Sequence, residues 1–407
     1  MISIESAQRL VLNRIGILPV EEVPLLHGLG RISADNVWSP WDIPLSDNSA
    51  MDGYALSSLP PKRERWVVVD CIPAGGERAT PVAPGETVRI MTGAPMPPGC
   101  DTVVPFEEAE ETLDGIRLTG ELKPGSHIRR QGEDIRTNDL AITAGSVLRA
   151  HEIGLLASLG RTGVAVYRKV RVAILATGDE LLEAGSTPAS GRIINSNSYS
   201  LAAQVLEAGG EPVLIGIAAD TGEATREKIR EGLRADMLVT TGGVSVGDRD
   251  FVSESIQALG GKLLFRKVNM KPGKPVAFAM LDNKPVFALP GNPVAAMVAF
   301  EIFVRPAMLR MMGHSRIFRP SVRAVLAEQM TNRGDRPHLV RVRVTLKYGV
   351  YTATSTGNQS SANLASLTQG NGLLRLETRT SIAAGSTAEI TVLDRGFEMG
   401  GIDDVTA

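Results

Sequence analysis

Apolar residues recur along the chain with periods that change from region to region. Ile4, Ala7, Val11 and Ile15 share one helical face, and Gly16 follows as a stop. From about residue 46 to 136 the pattern shortens to β-like runs at 66–70, 86–91, 101–105 and 115–119, broken by Gly and Pro. Residues 152–159 return to a short helical pattern that stops at Gly160. The middle stretch is therefore expected to be an insertion, residues 46–136. Its flanks, residues 1–45 and 137–168, are expected to form one domain.

The pattern is clearest over residues 169–318. A continuous apolar run at 170–176 has the texture of a buried parallel strand. A helical stretch at 198–208 stops at Gly209-Gly210. A strand at 212–218, a helix at 221–234 and a strand at 236–241 follow. This alternation predicts an α/β sheet with crossover helices. Runs at 275–281 and 285–289 flank Asp282-Asn283 and predict a hairpin. Asn292-Pro293 then opens a long apolar helix to about Met312, with a cap residue followed by Pro at the first helical position. Residues 319–407 read as a small β domain, with strands at 321–328, 338–346, 350–355 and 387–393.

Composition narrows the chemistry. The 407 residues carry 43 Lys and Arg against 45 Asp and Glu, a net charge of -2. That balance argues against a nucleic-acid-binding surface. Cys71 and Cys100 are the only cysteines, and there are 5 histidines. Two distant thiols make neither a cysteine-rich zinc site nor a disulfide framework. No window reaches the roughly 18 uninterrupted apolar residues of a membrane helix, and residues 1–16 lack the apolar core of a signal peptide. The expectation is a cytoplasmic protein with reduced thiols and no membrane partner. Its chemistry then rests on Asp, Glu, Lys, Arg, hydroxyls and backbone amides.

Ligands of open α/β sheets bind beyond the carboxyl ends of the strands. Three polar segments fall there: Thr177-Gly178-Asp179-Glu180, Asp220, and the glycine-rich turn from Thr241 through Gly242, Gly243, Ser245 and Gly247 to Asp250. The turn matches neither a Walker A loop nor a dinucleotide fingerprint. Arg266, Lys267, Lys271 and Lys274 place four cations within nine residues, which suits a phosphate or another oxyanion. Asp47 and Asp52 sit among small polar residues, and Arg129-Arg130-Gln131-Gly132-Glu133-Asp134 adds cations and further carboxylates. Carboxylates that meet phosphates commonly do so through Mg²⁺.

Seven segments together resemble a known family. They are residues 47–55 (DNSAMDGYA), 89–95 (RIMTGAP), 132–134 (GED), 177–181 (TGDEL), 241–247 (TGGVSVG), 271–275 (KPGKP) and 289–293 (LPGNP). In this order they resemble the molybdopterin molybdenumtransferase (MoeA) family, which is similar to the gephyrin E domain. The resemblance implies a multidomain α/β plus β fold. An elongated helical domain carries an inserted β domain. A doubly wound α/β domain resembling the pterin adenylyltransferases follows, then a C-terminal β domain. It implies a homodimer in which the inserted domain of one subunit faces the α/β domain of the other.

The implied reaction takes adenylylated molybdopterin and molybdate, hydrolyses the adenylate with Mg²⁺, releases AMP and leaves molybdenum on the dithiolene. The implied catalytic residues are Asp52, Thr92, Asp134, Asp250, Lys267 and Lys271, with Asp52, Asp134 and Asp250 at the metal. Thr177, Gly178, Glu180, Asp220, Gly242, Gly243, Ser245, Gly247, Pro290 and Pro293 are implied to bind the pterin. Arg341 and Ser361 match positions associated with molybdate. Cofactor-acceptor enzymes and the pterin adenylyltransferase are the implied protein partners. Three other readings compete: a pterin adenylyltransferase, a non-catalytic scaffold, and a generic phosphosugar- or nucleotide-binding α/β protein.

Overall fold

The computed structural model describes residues 1–59, 64–244, 250–394 and 396–398. Among them, two bodies separate: residues 23–29 with 35–164, and residues 1–22, 30–34 and 165 onward.

In the first body, strands β1 (Gly53–Leu56), β2 (Val67–Ile72), β3 (Glu86–Ile90) and β4 (Thr102–Pro105) form a sheet in the order β2-β3-β1-β4. Alternation fixes its two faces. Tyr54 and Leu56 pack with Trp66, Val104 and Ile116, while Ala55 faces Ile72, Val88, Ile90 and Val103. The Tyr54 hydroxyl donates to Glu111 at 2.6 Å, so its polar end is matched. The sequence pattern did not single out β1, although it is an inner strand. Its four residues lie inside a polar motif, and only the buried Tyr-Ala-Leu betrays it. Gly53 is required because a β-carbon there would lie 2.0 Å from the Val104 carbonyl oxygen. A short helix, Ala150–Ser158, buries Ile153 and Leu156 as expected.

In the second body, strands β5 (Arg171–Thr177), β6 (Glu211–Ala218), β7 (Met237–Thr241), β8 (Lys262–Phe265), β9 (Ala277–Leu281) and β10 (Lys284–Leu289) form one sheet in the order β6-β5-β7-β10-β9-β8. The first four in that order are parallel; β9 alone runs against the rest, pairing antiparallel with both β10 and β8. Helices α1 (Ile4–Leu12), α2 (Asn197–Glu207), α3 (Gly222–Gly232), α4 (Phe251–Ala258), α5 (Pro293–Ala299) and α6 (Arg305–Met311) pack with it. Val172 and Ile174 of β5 meet Leu201, Val205 and the 294–312 helical region on one face. Ala173 and Leu175 meet Ile229, Val252 and Ile256 on the other. The sheet is thus doubly wound, and each fully buried Val, Ile or Leu contributes about 1.5–3 kcal/mol relative to exposure. Asp282 and Asn283 both take positive φ, 50° and 60°, which closes the expected hairpin between β9 and β10.

Two features depart from the sequence pattern. Helix α1 buries Ile4, Ala7 and Val11 in the α/β core rather than in a body with residues 137–164. The single helix expected from 292 to 312 is interrupted by a π-helical turn at Phe300–Val304. Pro306 has no N–H for the Ile302 carbonyl, and that carbonyl instead accepts from Gln8 Nε2 of α1 at 3.1 Å. One proline therefore both loosens the helix and docks the N-terminal segment.

Residues 321–392 close into a barrel: β11 (Ser321–Leu326), β12 (His338–Lys347), β13 (Val350–Ser355), β14 (Gly372–Leu376) and β15 (Thr387–Val392), in the order β11-β13-β12-β14-β15. Strand β14, which the pattern did not single out, pairs with both β12 and β15. No helix among the described residues is long and apolar enough to cross a membrane.

Candidate active site

The chain leaves β5, visits β6 on one side and returns to β7 on the other, so the sheet has a topological switch point at β5 and β7. A cavity of about 840 Å³ opens there, beyond the carboxyl ends of β5, β7 and β10. Thr177, Gly178, Glu180, Asp220, Gly242, Gly243, Lys267, Pro290 and Pro293 line it together. These expected residues come from five separate stretches of chain and meet at one place.

The turn after β7 has tight geometry. Gly242 has a φ of +89°, and a β-carbon there would sit 2.5 Å from the Thr177 carbonyl oxygen. Its N–H donates to the Leu289 carbonyl at 3.2 Å, which ties the turn to β10. The cavity carries charge of both signs: Lys267 and Lys274 on one part of its wall, Glu180 and Asp220 on another. Asp179 and Asp220 fix each other's loops, since Asp179 Oδ1 accepts from the Asp220 N–H at 3.0 Å. Lys274 and Asn292, both noted in the sequence, also line the cavity, and so do Asn195 and Asn197, which were not expected. For Asn195 and Asn197, the NSN segment at the start of α2 was the available signal.

Other expected residues stand elsewhere. Ser245 and Gly247 lie outside the described residues. Asp250 caps α4, with Oδ1 accepting from the Ser253 N–H at 2.9 Å and Oδ2 3.7 Å from Arg266. Lys271 is not among the cavity-lining residues. Its backbone pairs with the barrel, donating to Pro337 at 2.8 Å and accepting from Leu339 at 2.7 Å. In the other body, Asp52 Oδ1 accepts from both the N–H and the hydroxyl of Thr92, at 2.7 and 2.8 Å. Pairing of Gly53 with Ile90 sets this contact. The Thr92 hydrogen bonds, the backbone one first, hold the Asp52 carboxyl below its usual range. Asp134 is exposed, its N–H donating to the Ile43 carbonyl at 3.0 Å. Among the described residues no three His, Cys, Asp or Glu gather as a ready metal cluster.

Arg341 and Ser361, which the resemblance associates with molybdate, are joined through one loop. Arg341 is fully buried. Its Nη2 donates to the carbonyls of Asn358 and Ser360 at 3.3 and 3.0 Å, and its Nε to Ser366 at 3.1 Å. It therefore braces the 357–363 loop. That loop meets the cavity: Ser361 Oγ accepts from Asn292 at 2.9 Å, its carbonyl from the Val294 N–H at 3.1 Å, and Ala362 lines the wall. Arg341→Ala is expected to cost on the order of 3 kcal/mol, because it empties a fully buried site and removes the three hydrogen bonds that hold the loop. A lowered denaturation midpoint, with new proteolytic cleavage near residue 360, would record it.

His338, buried beside this brace, is pushed down to about 4 by burial, with the Lys271 and Arg341 charges adding to the effect. Its folded-state pKa lies below its ordinary 6.5, so the neutral form is the one the fold stabilises. Stability from this group is complete above pH 6.5. It declines as the unfolded chain takes up the proton, down to about pH 4. Thermal midpoints between pH 7.5 and 5 should fall for the native chain, and fall less for His338→Asn.

With the geometry in place, the comparisons become informative. The family pattern described as "MoeA N-terminal region (domain I and II)" matches residues 2–160. "Probable molybdopterin binding domain" matches 173–310, and "MoeA C-terminal region (domain IV)" matches 323–393. Molybdopterin molybdenumtransferase 2 of Mycobacterium tuberculosis is 34% identical over 404 residues, 96% of this chain and 99% of that protein. The chain belongs to the MoeA family of molybdopterin molybdenumtransferases. A Nostoc member is 37% identical over 365 residues, covering 87% of this chain and 84% of its own. A crystal structure of a MoeA protein from Pyrococcus horikoshii superposes with a TM-score of 0.82 at 29% identity, covering 97% of this chain and all of that one. In MoeA terms the cavity lies in the segment matched as molybdopterin-binding, with one wall residue from the C-terminal region.

Proposed function

We propose that this chain inserts molybdenum from molybdate into adenylylated molybdopterin, in step with hydrolysis of the adenylate and release of AMP. The observation that carries the reading is the cavity at the switch point, which combines two lysines with two carboxylates inside the segment matched as molybdopterin-binding. Lysine ammonium groups suit phosphate and molybdate oxyanions. Neutralising the phosphate charge as AMP leaves lowers the barrier without a protein nucleophile. The substrate's own dithiolene supplies the soft sulfur donors that molybdenum prefers, so the protein needs none.

Asp52, Asp134 and Asp250 are the groups that would hold Mg²⁺. The donor set fits, being carboxylate oxygens with no thiolate or imidazole. Asp52 and Asp250 each commit Oδ1 to a hydrogen bond within the chain, which orients the second oxygen. Bound there, Mg²⁺ supplies charge neutralisation at the phosphates. A homodimer brings Asp52, Thr92 and Asp134 of one subunit to the partner's cavity in this reading. An inserted β domain and a C-terminal β domain, cytoplasmic location, and hand-over to acceptor enzymes belong to the same reading.

The test separates this function from adenylyl transfer. Full-length protein given ATP and molybdopterin should make no adenylylated product. Given adenylylated molybdopterin, it should release AMP only with Mg²⁺ and molybdate both present. Formation of the adenylate from ATP would favour the rival.

A further inference from the structure

Asn197 opens helix α2 on the cavity wall and is only 9% exposed. Its Nδ2 donates to the Gly291 carbonyl and to Thr241 Oγ1, both at 2.8 Å. These two contacts fix which way the carboxamide points. Gly291 offers only an acceptor. The Thr241 hydroxyl gives its own proton to the Pro290 carbonyl at 3.0 Å, so toward Asn197 it can only accept. Flipping the amide would set an oxygen against two acceptors. Oδ1 is therefore the atom left over, a buried acceptor with no partner among the described residues. Thr177 Oγ1, on the same wall, is likewise buried and unmatched. Buried polar atoms are normally paired, so a cavity with two unmatched ones is built for a ligand that completes them.

An acceptor calls for a donor, and this decides which part of the substrate meets it. Phosphate and molybdate oxyanions bring only acceptors, and the lysines suit them. The group facing Asn197 must come from an uncharged, donor-bearing part, and the cavity lies in the segment matched as molybdopterin-binding, which favours the pterin over the adenosine. On a pterin, the exocyclic 2-amino group projects beyond the ring, whereas the ring N–H beside it is recessed between two substituents. We propose that Asn197 Oδ1 accepts a hydrogen bond from the pterin 2-amino group and thereby selects 2-amino-4-oxopteridines over their 2-oxo counterparts. The assignment rests on the proposed pterin function of the cavity. A 2-oxo group in the same place would set one acceptor against another, Asn197 Oδ1, which a site built for hydrogen bonding rejects strongly.

The experiment compares binding of 6-hydroxymethylpterin and 6-hydroxymethyllumazine to the full-length chain, its Asn197→Ala variant and its Asn197→Asp variant. The wild type should bind the pterin at least about tenfold more tightly. Asn197→Ala should bring the preference below about threefold. Asn197→Asp keeps an acceptor and should keep the preference, even though it loses the bonds to Gly291 and Thr241. Damage that is only structural would weaken both ligands alike and leave the ratio standing. Equal wild-type affinities, or an undiminished preference in Asn197→Ala, overturn the assignment. Should Asn197→Ala not fold, the wild-type ratio and Asn197→Asp decide it. Failure of the wild type to bind either compound overturns the pterin reading of the cavity itself, a distinguishable result.

Discussion

Asp250→Asn is expected to fold with near-native stability and to lose at least about 100-fold in AMP release. Asparagine is as good a helix cap as aspartate, so Ser253 keeps its acceptor. The change removes the charge and little else. The Arg266 contact, at 3.7 Å and partly exposed, adds little stability. Asp250→Ala should show the same loss of turnover plus about 1 kcal/mol of destabilisation from the missing cap. Asp52→Asn follows the same logic, since an amide oxygen can still accept from the Thr92 N–H and hydroxyl. Chemical denaturation and AMP chromatography on these variants separate the cap from the charge. Undiminished AMP release from both asparagine variants would remove these carboxylates from the chemistry.

Gly242→Ala is expected to destabilise the chain by roughly 2–4 kcal/mol and to abolish ligand binding at the cavity. The backbone at φ +89° disfavours any side chain, and the Thr177 carbonyl oxygen at 2.5 Å leaves no space for one. Moving the turn would also displace Thr241, which supports Asn197 and the Pro290 carbonyl. A thermal midpoint near native, with retained pterin binding, would contradict this. Gly242 therefore turns the chain and also lets two backbone segments approach at the floor of the cavity.

Much of this could be read in the sequence, for identifiable reasons. The doubly wound sheet was legible because β5 is a continuous apolar run and the helices after it carry clean stop signals. The cavity was legible because ligands of such sheets bind at strand ends, where residues 177–180, 220 and 241–243 already clustered polar groups. Strand β1 was hidden inside a motif that reads as a polar turn, and β14 is only five residues long. Pro306 was a local signal for a break in the last helix, but the Gln8 side chain that takes up the freed Ile302 carbonyl lies almost three hundred residues away, where local pattern has no access. That Arg341 braces the loop that carries Ser361 depends on contacts 17 and 19 residues along the chain, which local pattern does not show. Cys100 is partly buried, and burial pushes its thiol up to about 12.

The most direct test follows molybdenum itself. Purified full-length protein, adenylylated molybdopterin, Mg²⁺ and molybdate are mixed, and the product is offered to an apo-molybdoenzyme while AMP and pterin-bound molybdenum are measured together. Insertion predicts one molybdenum bound per AMP released, with acceptor activity restored, and neither without molybdate. AMP release that leaves the pterin free of molybdenum and the acceptor inactive would contradict it.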